Sequence, residues 1–367
     1  VAKKISATLS IVKDHRRTSK GNLLYSLEEI FFLTLVALLC GCDSWEGIDM
    51  FGKTKLNWFR QYFPYRKRTP SADTLIQFFA KLDSPLFGQC FISWANQKFV
   101  NMENEVINID GKRLCGSYDT YLNQRALHVV SAYASANQLT LGQVLTEEKS
   151  NEITAIPQLL ELIDVKDTTV SIDAMGCQKE IASTIRQKNA HYLLAVKENQ
   201  KELHQNILQS FERLPVNEAD TQFSTGHGRI EKRTCEIITS KEWIESTAWR
   251  DLNTLIRITS QRTIKLTGEQ QHQTRYYISS KKADAKTFNH MVRSHWSIEN
   301  KLHWVMDVTF KEDHSRKRTG NSAFNFNIIT KMALKILEKN KGTSSKPLTR
   351  IRATADDDFR HSLIHNF

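Results

Sequence analysis

The sequence predicts an α/β fold with a mixed five-stranded sheet and flanking helices, a β-rich insertion and an all-α amino-terminal module. Three observations lead to this prediction. Apolar residues recur at helical spacing up to about residue 100, the spacing becomes that of strands from residue 105, and strands and helices alternate to about residue 213. A period of 3.6 residues indicates amphipathic helices, whereas a period of two indicates strands.

The first hundred residues are predicted to form a helical module that binds DNA. In "PSADTLIQFFAKLD", Pro70 and Ser71 mark a helix start, and the apolar residues from Leu75 recur at helical spacing. The apolar run "IFFLTLVALLCGC" is shorter than a membrane span of about 20 residues, so we interpret it as a core helix. The stretch "WFRQYFPYRKRTP" alternates aromatic and basic residues, as a surface that grips a phosphate backbone would, although a basic loop over packed aromatics is equally compatible.

Residues 101–213 are predicted to form the first part of a sheet domain. The strands are "EVINID", "ALHVVSAYA", "QLTLGQVLT", "TTVSID" and "HYLLAV", and helices follow the third, fourth and fifth of them. A hairpin-built three-stranded unit followed by right-handed βα crossovers gives a mixed five-stranded sheet with helices packed on it. This order is the ribonuclease-H-like arrangement, in which the first and fourth strands are parallel neighbours.

The remaining sequence divides into three parts. Residues 214–285 are polar and rich in strand patterns such as "LNTLIRITSQRTIKL", and we interpret them as an inserted subdomain. Residues 286–340 complete the sheet domain with one helix through "RSHWSIENKLHWV" and a last amphipathic helix. Residues 341–367 are predicted to be a linker and a carboxy-terminal tail.

The charge balance indicates a polyanionic partner. The chain has 51 Lys and Arg against 40 Asp and Glu, which gives a formal net charge of +11. The basic residues occur in clusters, such as "SRKR" at residues 315–318, which favours several phosphate contacts over a uniformly charged surface. The six cysteines show no disulfide framework, and no metal-ligand spacing beyond a single C-G-C. We expect a cytoplasmic protein that associates with the nucleoid when bound to DNA and has no contact with membranes.

Three acidic residues carry the catalytic hypothesis: Asp110, Asp173 and Glu299. Each aspartate is predicted to be the last residue of its strand, so the two carboxylates emerge side by side at the carboxyl edge of the parallel strands. Glu299 lies beside the apolar stripe of a helix and would supply a third carboxylate. Hard divalent cations prefer oxygen ligands, and two such ions can support in-line phosphoryl transfer.

Other interpretations of the same residues exist. A strand that ends in Asp-Gly is a common turn, and an acidic residue in a helix is more often a solvated charge than a metal ligand. His295, Glu299 and His303 share one helix face and so suggest a zinc site, but the H-E-x-x-H spacing is absent and no fourth ligand is evident.

Several long motifs resemble the DDE insertion-sequence transposases of the H-repeat-associated (ISAs-type) family. They include "IDGKRLCGS", "EKSNEITAIPQLLELI", "SIDAMGCQKEIA", "YLLAVKENQ", "GHGRIEKR" and "RSHWSIENKLHWVMDVTFKED", and together they span nearly the whole chain. A wider superfamily pattern, Y-x2-R-x3-E-x6-K, is not retained, because its positions are occupied by Val292, His295, Glu299 and Met306.

The resemblance implies a polynucleotidyl transferase and endonuclease whose DDE triad is Asp110, Asp173 and Glu299. It implies Mg²⁺-dependent cleavage at the ends of a mobile element and strand transfer into target DNA, with Mn²⁺ able to substitute. The expected partners are double-stranded DNA, as element terminal repeats and target, and further copies of the chain in a homo-oligomer on DNA. Ten residues are predicted to contact DNA: Lys112, Arg113, Arg293, His295, Trp296, Asn300, Lys301, Arg316, Lys317 and Arg318.

Two alternatives to a transposase remain open from the sequence. The first is a catalytically silent DNA-binding relic or regulator that keeps the fold and the basic surface. The second is a plain ribonuclease-H-like DNA nuclease, which would cut DNA without joining ends.

Overall fold

A computed structural model describes residues 1–16, 23–100, 104–121, 123–146, 152–226, 228–244, 248–365 and 367. Before the first strand, the regular elements among the described residues are helices. The helices are α1 (Ala2–Leu9), α2 (Leu27–Leu39), α3 (Trp45–Thr54), α4 (Leu56–Phe59), α5 (Ala72–Lys81) and α6 (Ser84–Lys98). The sequence prediction of helices in this region is therefore confirmed.

Local sequence signals explain where α2 and α5 begin. Ser26 caps α2 by accepting a hydrogen bond from the Glu29 amide, while the Glu29 carboxylate accepts one from the Ser26 amide. Ser71 caps α5 through the Thr74 amide. All residues of α2 except Glu28 are buried, so the apolar run forms a core helix as predicted. Within the described ranges, no helix has the length and apolar character needed to cross a membrane.

The predicted β-β-β-α-β-α-β-α order is present in the structure. The elements are β1 (Val106–Arg113), β2 (His128–Ala134), β3 (Leu139–Thr146), α7 (Glu152–Leu162), β4 (Thr169–Ile172), α8 (Lys179–Gln187), β5 (His191–Val196) and α9 (Lys201–Arg213). β1 is antiparallel to β2 and parallel to β4, β2 is antiparallel to β3, and β4 is parallel to β5. The first and fourth strands are therefore parallel neighbours, as predicted.

The sheet is larger than the five strands that the sequence predicts. It has nine strands in the order β3-β2-β1-β4-β5-β9-β8-β7-β6. The four additional strands are β6 (Glu218–Gly226), β7 (Arg229–Ile238), β8 (Thr254–Ile264) and β9 (Gln270–Ser279). β9 pairs with β5 in antiparallel orientation, from Leu193 opposite Ser279 to Val196 opposite Tyr276. The insertion therefore continues the same sheet, because β9 satisfies the backbone groups that β5 would expose as an edge strand.

The helical segment after β9 is interrupted. α10 (Ala285–His295) is followed by a π-helical turn (Ile298–His303) and then by α11 (Trp304–Phe310). The single continuous helix predicted through this segment is therefore wrong. α10 packs its apolar residues, among them Phe288 and Met291, on the face of β7, β8 and β9, whereas Ile298 and Leu302 of the π-helical turn enter the main core.

The carboxy-terminal residues are helical and pack on the amino-terminal module. α12 (Ser322–Asn340), α13 (Lys346–Ala355) and α14 (Asp357–His365) follow α11. Asn325 of α12 donates hydrogen bonds to the carbonyls of Phe79 and Leu82. Arg350 of α13 donates to the Leu38 carbonyl at 3.0 Å. The segment predicted as a linker and tail is thus part of the folded core.

Candidate active site

Asp110 and Asp173 lie next to each other at the end of the pairing between β1 and β4. Ile109 is opposite Ile172 in this parallel pair, so the residue that follows each of them is an aspartate. Asp173 was predicted to be the last residue of β4 but directly follows it, since the strand ends at Ile172. The prediction that Asp110 ends its strand is wrong, since β1 continues to Arg113 as the antiparallel partner of β2. The two aspartates nevertheless share one edge, because the parallel pairing ends beside them.

Local hydrogen bonds orient both carboxylates. Oδ1 of Asp110 accepts a hydrogen bond from the Gly111 amide at 2.9 Å. Oδ1 of Asp173 accepts from the Met175 amide at 3.0 Å and from the Gly176 amide at 3.4 Å, which is the geometry of an Asx turn. Each aspartate thus has one oxygen fixed by the backbone. The second oxygen of Asp110 lies 3.5 Å from Nδ1 of His303.

Burial and acidic neighbours raise the proton affinity of Asp110 and Glu299. Burial, followed by the charges of Asp173, Glu152 and Glu299, raises the pKa of Asp110 to about 7, against the hydrogen bond from the Gly111 amide, which lowers it. Burial also raises the pKa of Glu299, against the opposing charge of Arg275 and together with that of Asp173. Asp110, Asp173 and Glu299 therefore share one electrostatic field, although Glu299 is far away in sequence. A bound cation would relieve the repulsion in this field.

Glu299 reaches this field from the π-helical turn. Its neighbours Ile298 and Leu302 are buried, while Glu299 itself is exposed. In the described part of the chain, no three His, Cys, Asp or Glu side chains form a group that could hold a metal ion. The two aspartates fit the chemistry of Mg²⁺, which binds through one or two carboxylates together with substrate phosphates. Glu299 would have to approach them to complete such a ligand set.

The two histidines of this segment do not form a zinc site with Glu299. Nδ1 of His295 lies 3.0 Å from the Ser171 hydroxyl, and burial lowers the pKa of His295 to about 4. Burial likewise lowers the pKa of His303 to about 3. Both rings are neutral and turned into the protein. His295 was predicted to contact DNA, but a neutral ring held by Ser171 offers no cation to a phosphate.

A buried Glu-His pair lies against the backbone next to Asp110, and no sequence motif indicated it. Oε1 of Glu152, at the start of α7, lies 2.6 Å from Nε2 of His128 on β2. Both side chains are buried. A Cβ atom on Gly111 would lie 2.3 Å from Oε1 of Glu152 and 2.4 Å from Nε2 of His128. The glycine after Asp110 is therefore required by this close approach. The motif "EKSNEI" contains Glu152, but nothing in its spacing points to His128.

Two of the lysines predicted to bind DNA are occupied within the protein. Nζ of Lys112 forms ion pairs with Asp307 and, at 2.8 Å, with Glu312. Lys317 is buried, and its Nζ donates to the Asp43 carbonyl at 2.6 Å. Neither ammonium group is free for a phosphate in this structure, which corrects the prediction for both. The reason is tertiary, since their acidic and carbonyl partners come from distant parts of the chain.

The other predicted DNA contacts lie at or near the surface in two groups. Arg293, Asn300 and Lys301 are exposed beside Trp296, whose ring lies 4.5 Å from the Arg275 guanidinium. Arg113 and Arg316 are exposed and Arg318 is half-buried, and the last two lie over the ring of Tyr118 at 5.1 and 6.0 Å. Arg318 also lies 3.9 Å from Asp119.

Two family models match the chain. The model described as "Transposase DDE domain" matches residues 102–336, and thus includes the two aspartates and Glu299. The model described as "DDE_Tnp_1-associated" matches residues 6–95, which correspond to the helical module.

Three relatives show how far the similarity extends. "Putative transposase YncI" of Escherichia coli O157:H7 is 42% identical over 343 residues, which is 91% of this chain and 87% of the relative. "H repeat-associated putative transposase YhhI" of Escherichia coli K12 is 36% identical over 365 residues, 97% of this chain and 96% of the relative. The "Uncharacterized protein in dhlA 3'region" of Xanthobacter autotrophicus is 35% identical over 280 residues, 75% of this chain and 93% of the relative.

Proposed function

The chain belongs to the transposases with a DDE domain, and we propose that it cuts DNA at the ends of an insertion sequence and joins them to target DNA. The observation that carries this proposal is the set of three carboxylates. Asp110 and Asp173 are adjacent by strand register, and Glu299 acts on the same electrostatic field from a different element.

The sheet order supports a ribonuclease-H-like core. The strands β3-β2-β1-β4-β5 form one half of the sheet, with β1 and β4 parallel at its centre. In open α/β sheets, ligands bind beyond the carboxyl ends of the parallel strands. We assign this half and its helices to catalysis, and the strands β6 to β9 to an extension that DNA contacts.

Asp110, Asp173 and Glu299 are the residues proposed to hold Mg²⁺, for which Mn²⁺ would substitute. The bound ions would supply activation of the attacking oxygen and stabilisation of the leaving oxygen in phosphoryl transfer. The chain's contribution is to orient the acids through the Gly111, Met175 and Gly176 amides. Asp110 must also lose its proton to bind a cation, and its raised pKa opposes this loss. A bound cation or a higher pH favours the ionised form.

The proposed partner is double-stranded DNA. The net charge of +11 supports phosphate binding, and the exposed cations Arg113, Arg293, Lys301 and Arg316 are the candidates that remain from the sequence prediction. Joining two element ends to one target requires more than one active site or a site used repeatedly. Of these two arrangements we propose the first, in which several copies of the chain form a homo-oligomer on DNA. This complex would be associated with the nucleoid.

The test is an assay that measures cutting and joining together. A labelled element end and a supercoiled target plasmid are incubated with the protein and Mg²⁺ or Mn²⁺, and cleavage and strand transfer are separated on gels. We expect Asp110→Asn, Asp173→Asn and Glu299→Gln each to reduce both products by at least about a thousandfold, because each removes a ligand from the site that stabilises the transition state.

Asp167→Asn serves as the matched control. Asp167 is exposed in the turn before β4 and has a φ of 60°, a conformation that Asn tolerates well. This variant should cut and join like the original protein. Full activity in all three carboxylate variants would show that the triad assignment is wrong.

The same assay distinguishes the two alternative functions. One relative bears the name "Inactive transposase YbfQ" and is 34% identical over 73 residues, or 20% of this chain. Salt-sensitive binding of DNA without nicking in any divalent ion would indicate a silent relic. Cutting without joining would indicate a plain nuclease.

A further inference from the structure

A groove of about 1000 Å³ lies between the strands β7 to β9 and the segment from α10 to Lys301. We call it the arginine groove. Its floor and wall carry residues that share positive charge or aromatic character: Arg229, Arg262, Arg275, Arg293, Trp296 and Lys301. The first three belong to the β-rich extension and were not recognised as functional in the sequence.

Strand register places the floor residues on one face of the sheet. Arg262 lies opposite Glu231, which is two residues from Arg229 on β7, and Arg275 lies opposite Ile258 on β8. Alternate residues of a strand point to the same face. The inner part of this face is apolar and is covered by α10. The strands extend beyond α10, so the outer part of the face, which carries the arginines, is left open.

The arginine groove has an excess of positive charge. Six of its described lining residues are Arg or Lys, whereas two, Glu105 and Glu231, are acidic. Glu231 is shared between Arg262 at 3.7 Å and Arg293 at 3.8 Å. Glu105 is buried and accepts hydrogen bonds from the amides of residues 106, 136 and 137. The two carboxylates therefore neutralise only part of the positive charge, and the groove suits a ligand that brings its own negative charges.

The inner end of the arginine groove lies beside Glu299. The Arg275 guanidinium lies 4.5 Å from the centroid of the Trp296 ring. The charge of the same guanidinium acts on Glu299 and lowers its pKa against the effect of burial. Asn300 and Lys301, which line the groove, directly follow Glu299 in the chain. A strand that lies along the groove would thus end beside the candidate active site.

We propose that the arginine groove binds the phosphate backbone of one DNA strand and leads it to the three carboxylates. This inference rests on the proposed function, which makes DNA the ligand class. Proteins hold single strands in cationic grooves that follow the backbone, with aromatic rings on which bases stack, and this groove has both features in its arginines and Trp296. A groove enclosed between a sheet face and a helix fits one strand better than an intact duplex.

The test measures the binding of DNA without cleavage. A fluorescein-labelled oligonucleotide, either single-stranded or annealed to its complement, is titrated with protein in EDTA, and anisotropy is recorded at several salt concentrations. The double variant Arg229→Gln/Arg262→Gln removes two cations of the groove floor. We expect its affinity for the single strand to fall at least about tenfold, and the slope of log K against log salt to become shallower by about 1.4, since each phosphate contact contributes about 0.7.

Matched variants separate a local effect from loss of net charge. Lys232→Gln/Lys265→Gln removes two exposed cations from the opposite face of β7 and from the turn after β8, and it should bind the single strand like the original protein. Arg229→Lys/Arg262→Lys keeps the charges and should restore most of the affinity. Thermal denaturation of every variant verifies that it is folded.

The outcomes separate this inference from the proposed function. Equal single-strand binding by the Arg229/Arg262 and Lys232/Lys265 double Gln variants would overturn the inference, even in a protein that cuts and joins DNA. An equal fall in duplex binding would also overturn it, because the groove would then not select one strand. Groove-dependent binding by a protein that never cuts DNA would support the inference and defeat the proposed catalysis.

Discussion

At the scale of single residues, Gly111 sets the position of the strand that carries Asp110. Its lack of a side chain allows Glu152 and His128 to approach the β1 backbone, and their 2.6 Å contact is buried. The sequence "NIDGK" suggests a common turn. The structure instead has this glycine inside a strand, where close approach of a neighbour is the physical reason for it.

The substitution Gly111→Ala should therefore destabilise the protein and lower DNA cleavage. A methyl group at this position has to displace the Glu152 carboxylate or the His128 ring, which costs about 1 to 3 kcal/mol as overpacking. Urea denaturation measures the change. Gly88→Ala is the matched control, because no atom outside the local backbone of α6 lies within 4 Å of a Cβ at Gly88. The control should be neutral or stabilising by up to about 1 kcal/mol, since Ala is the better helix former. Equal stability of both variants would contradict this account.

Asp110 also predicts a pH dependence of stability without metal. Its pKa is raised to about 7 in the folded protein, above its ordinary value of 3.8. Between these two values the folded state binds more protons than the unfolded state, so the free energy of unfolding decreases as the pH rises. The substitution Asp110→Asn removes this decrease in the free energy of unfolding. In EDTA at pH 8, the variant should be more stable than the original protein, by an amount on the order of a few kcal/mol.

The advantage of Asp110→Asn should become smaller at pH 5 and vanish near pH 4, where the carboxyl group is neutral in the folded state and increasingly so in the unfolded state. Urea denaturation at several pH values provides the measurement. Addition of Mg²⁺ at pH 8 should stabilise the original protein more than the variant, because binding to the folded state adds to its stability. An advantage that does not change with pH would refute the assignment of this shift to Asp110.

At the scale of secondary structure, the π-helical turn decides how Glu299 is presented. A π-helical turn interrupts the regular phase of a helix, and such turns occur frequently at functional sites. Here it lies between α10, which packs on the β-rich half of the sheet, and α11, which packs in the main core. The two helices have different partners, and the turn joins them while Glu299 remains exposed.

Leu302 is the residue that anchors this turn, and Leu302→Ala should cost about 2 to 5 kcal/mol because it leaves a cavity in the core. Strand transfer should also fall, since Glu299 loses its support. Trp304→Ala, two residues later, is the comparison variant. Trp304 is 60% exposed, so its removal should change the free energy of unfolding by no more than about 0.5 kcal/mol. Chemical denaturation of both variants tests this, and a larger loss for Trp304→Ala would show that another residue anchors the turn.

At the scale of the whole molecule, the carboxy-terminal helices fasten the amino-terminal module to the sheet domain. Arg350 of α13 is buried and binds the Leu38 and Thr309 carbonyls and the Asp43 carboxylate. Leu38 belongs to α2 and Thr309 to α11. One guanidinium thus connects three parts of the chain, and the most distant of them are more than 200 residues apart in sequence.

Arg350→Ala should destabilise the protein by about 3 to 5 kcal/mol, because it leaves the partly buried Asp43 carboxylate and two carbonyls without a partner. Arg352→Ala, on the same helix, should cost less than about 1 kcal/mol. The Arg352 side chain is 63% exposed and its ion pair with Asp356, at 3.5 Å, lies at the surface. Equilibrium unfolding of the two variants provides the comparison, and similar costs would mean that Arg350 is not the connection.

The sequence by itself determined the β-β-β-α-β-α-β-α order, the helix start at Ser71, and the pairing of Asp110 with Asp173. Each of these follows from local pattern, since periodicity and capping are read over a few residues and strand order fixes which ends meet. The membership of the transposase family also follows from sequence.

Only the tertiary structure decided how distant segments meet. It joined β9 to β5, paired Lys112 with remote acids, buried Lys317 against a remote carbonyl, placed Glu152 near Asp110, and opened the arginine groove. The physical reason is that strand pairing, burial and ion pairing depend on which surfaces come together, and residues more than about ten positions apart leave no periodic signal of that contact.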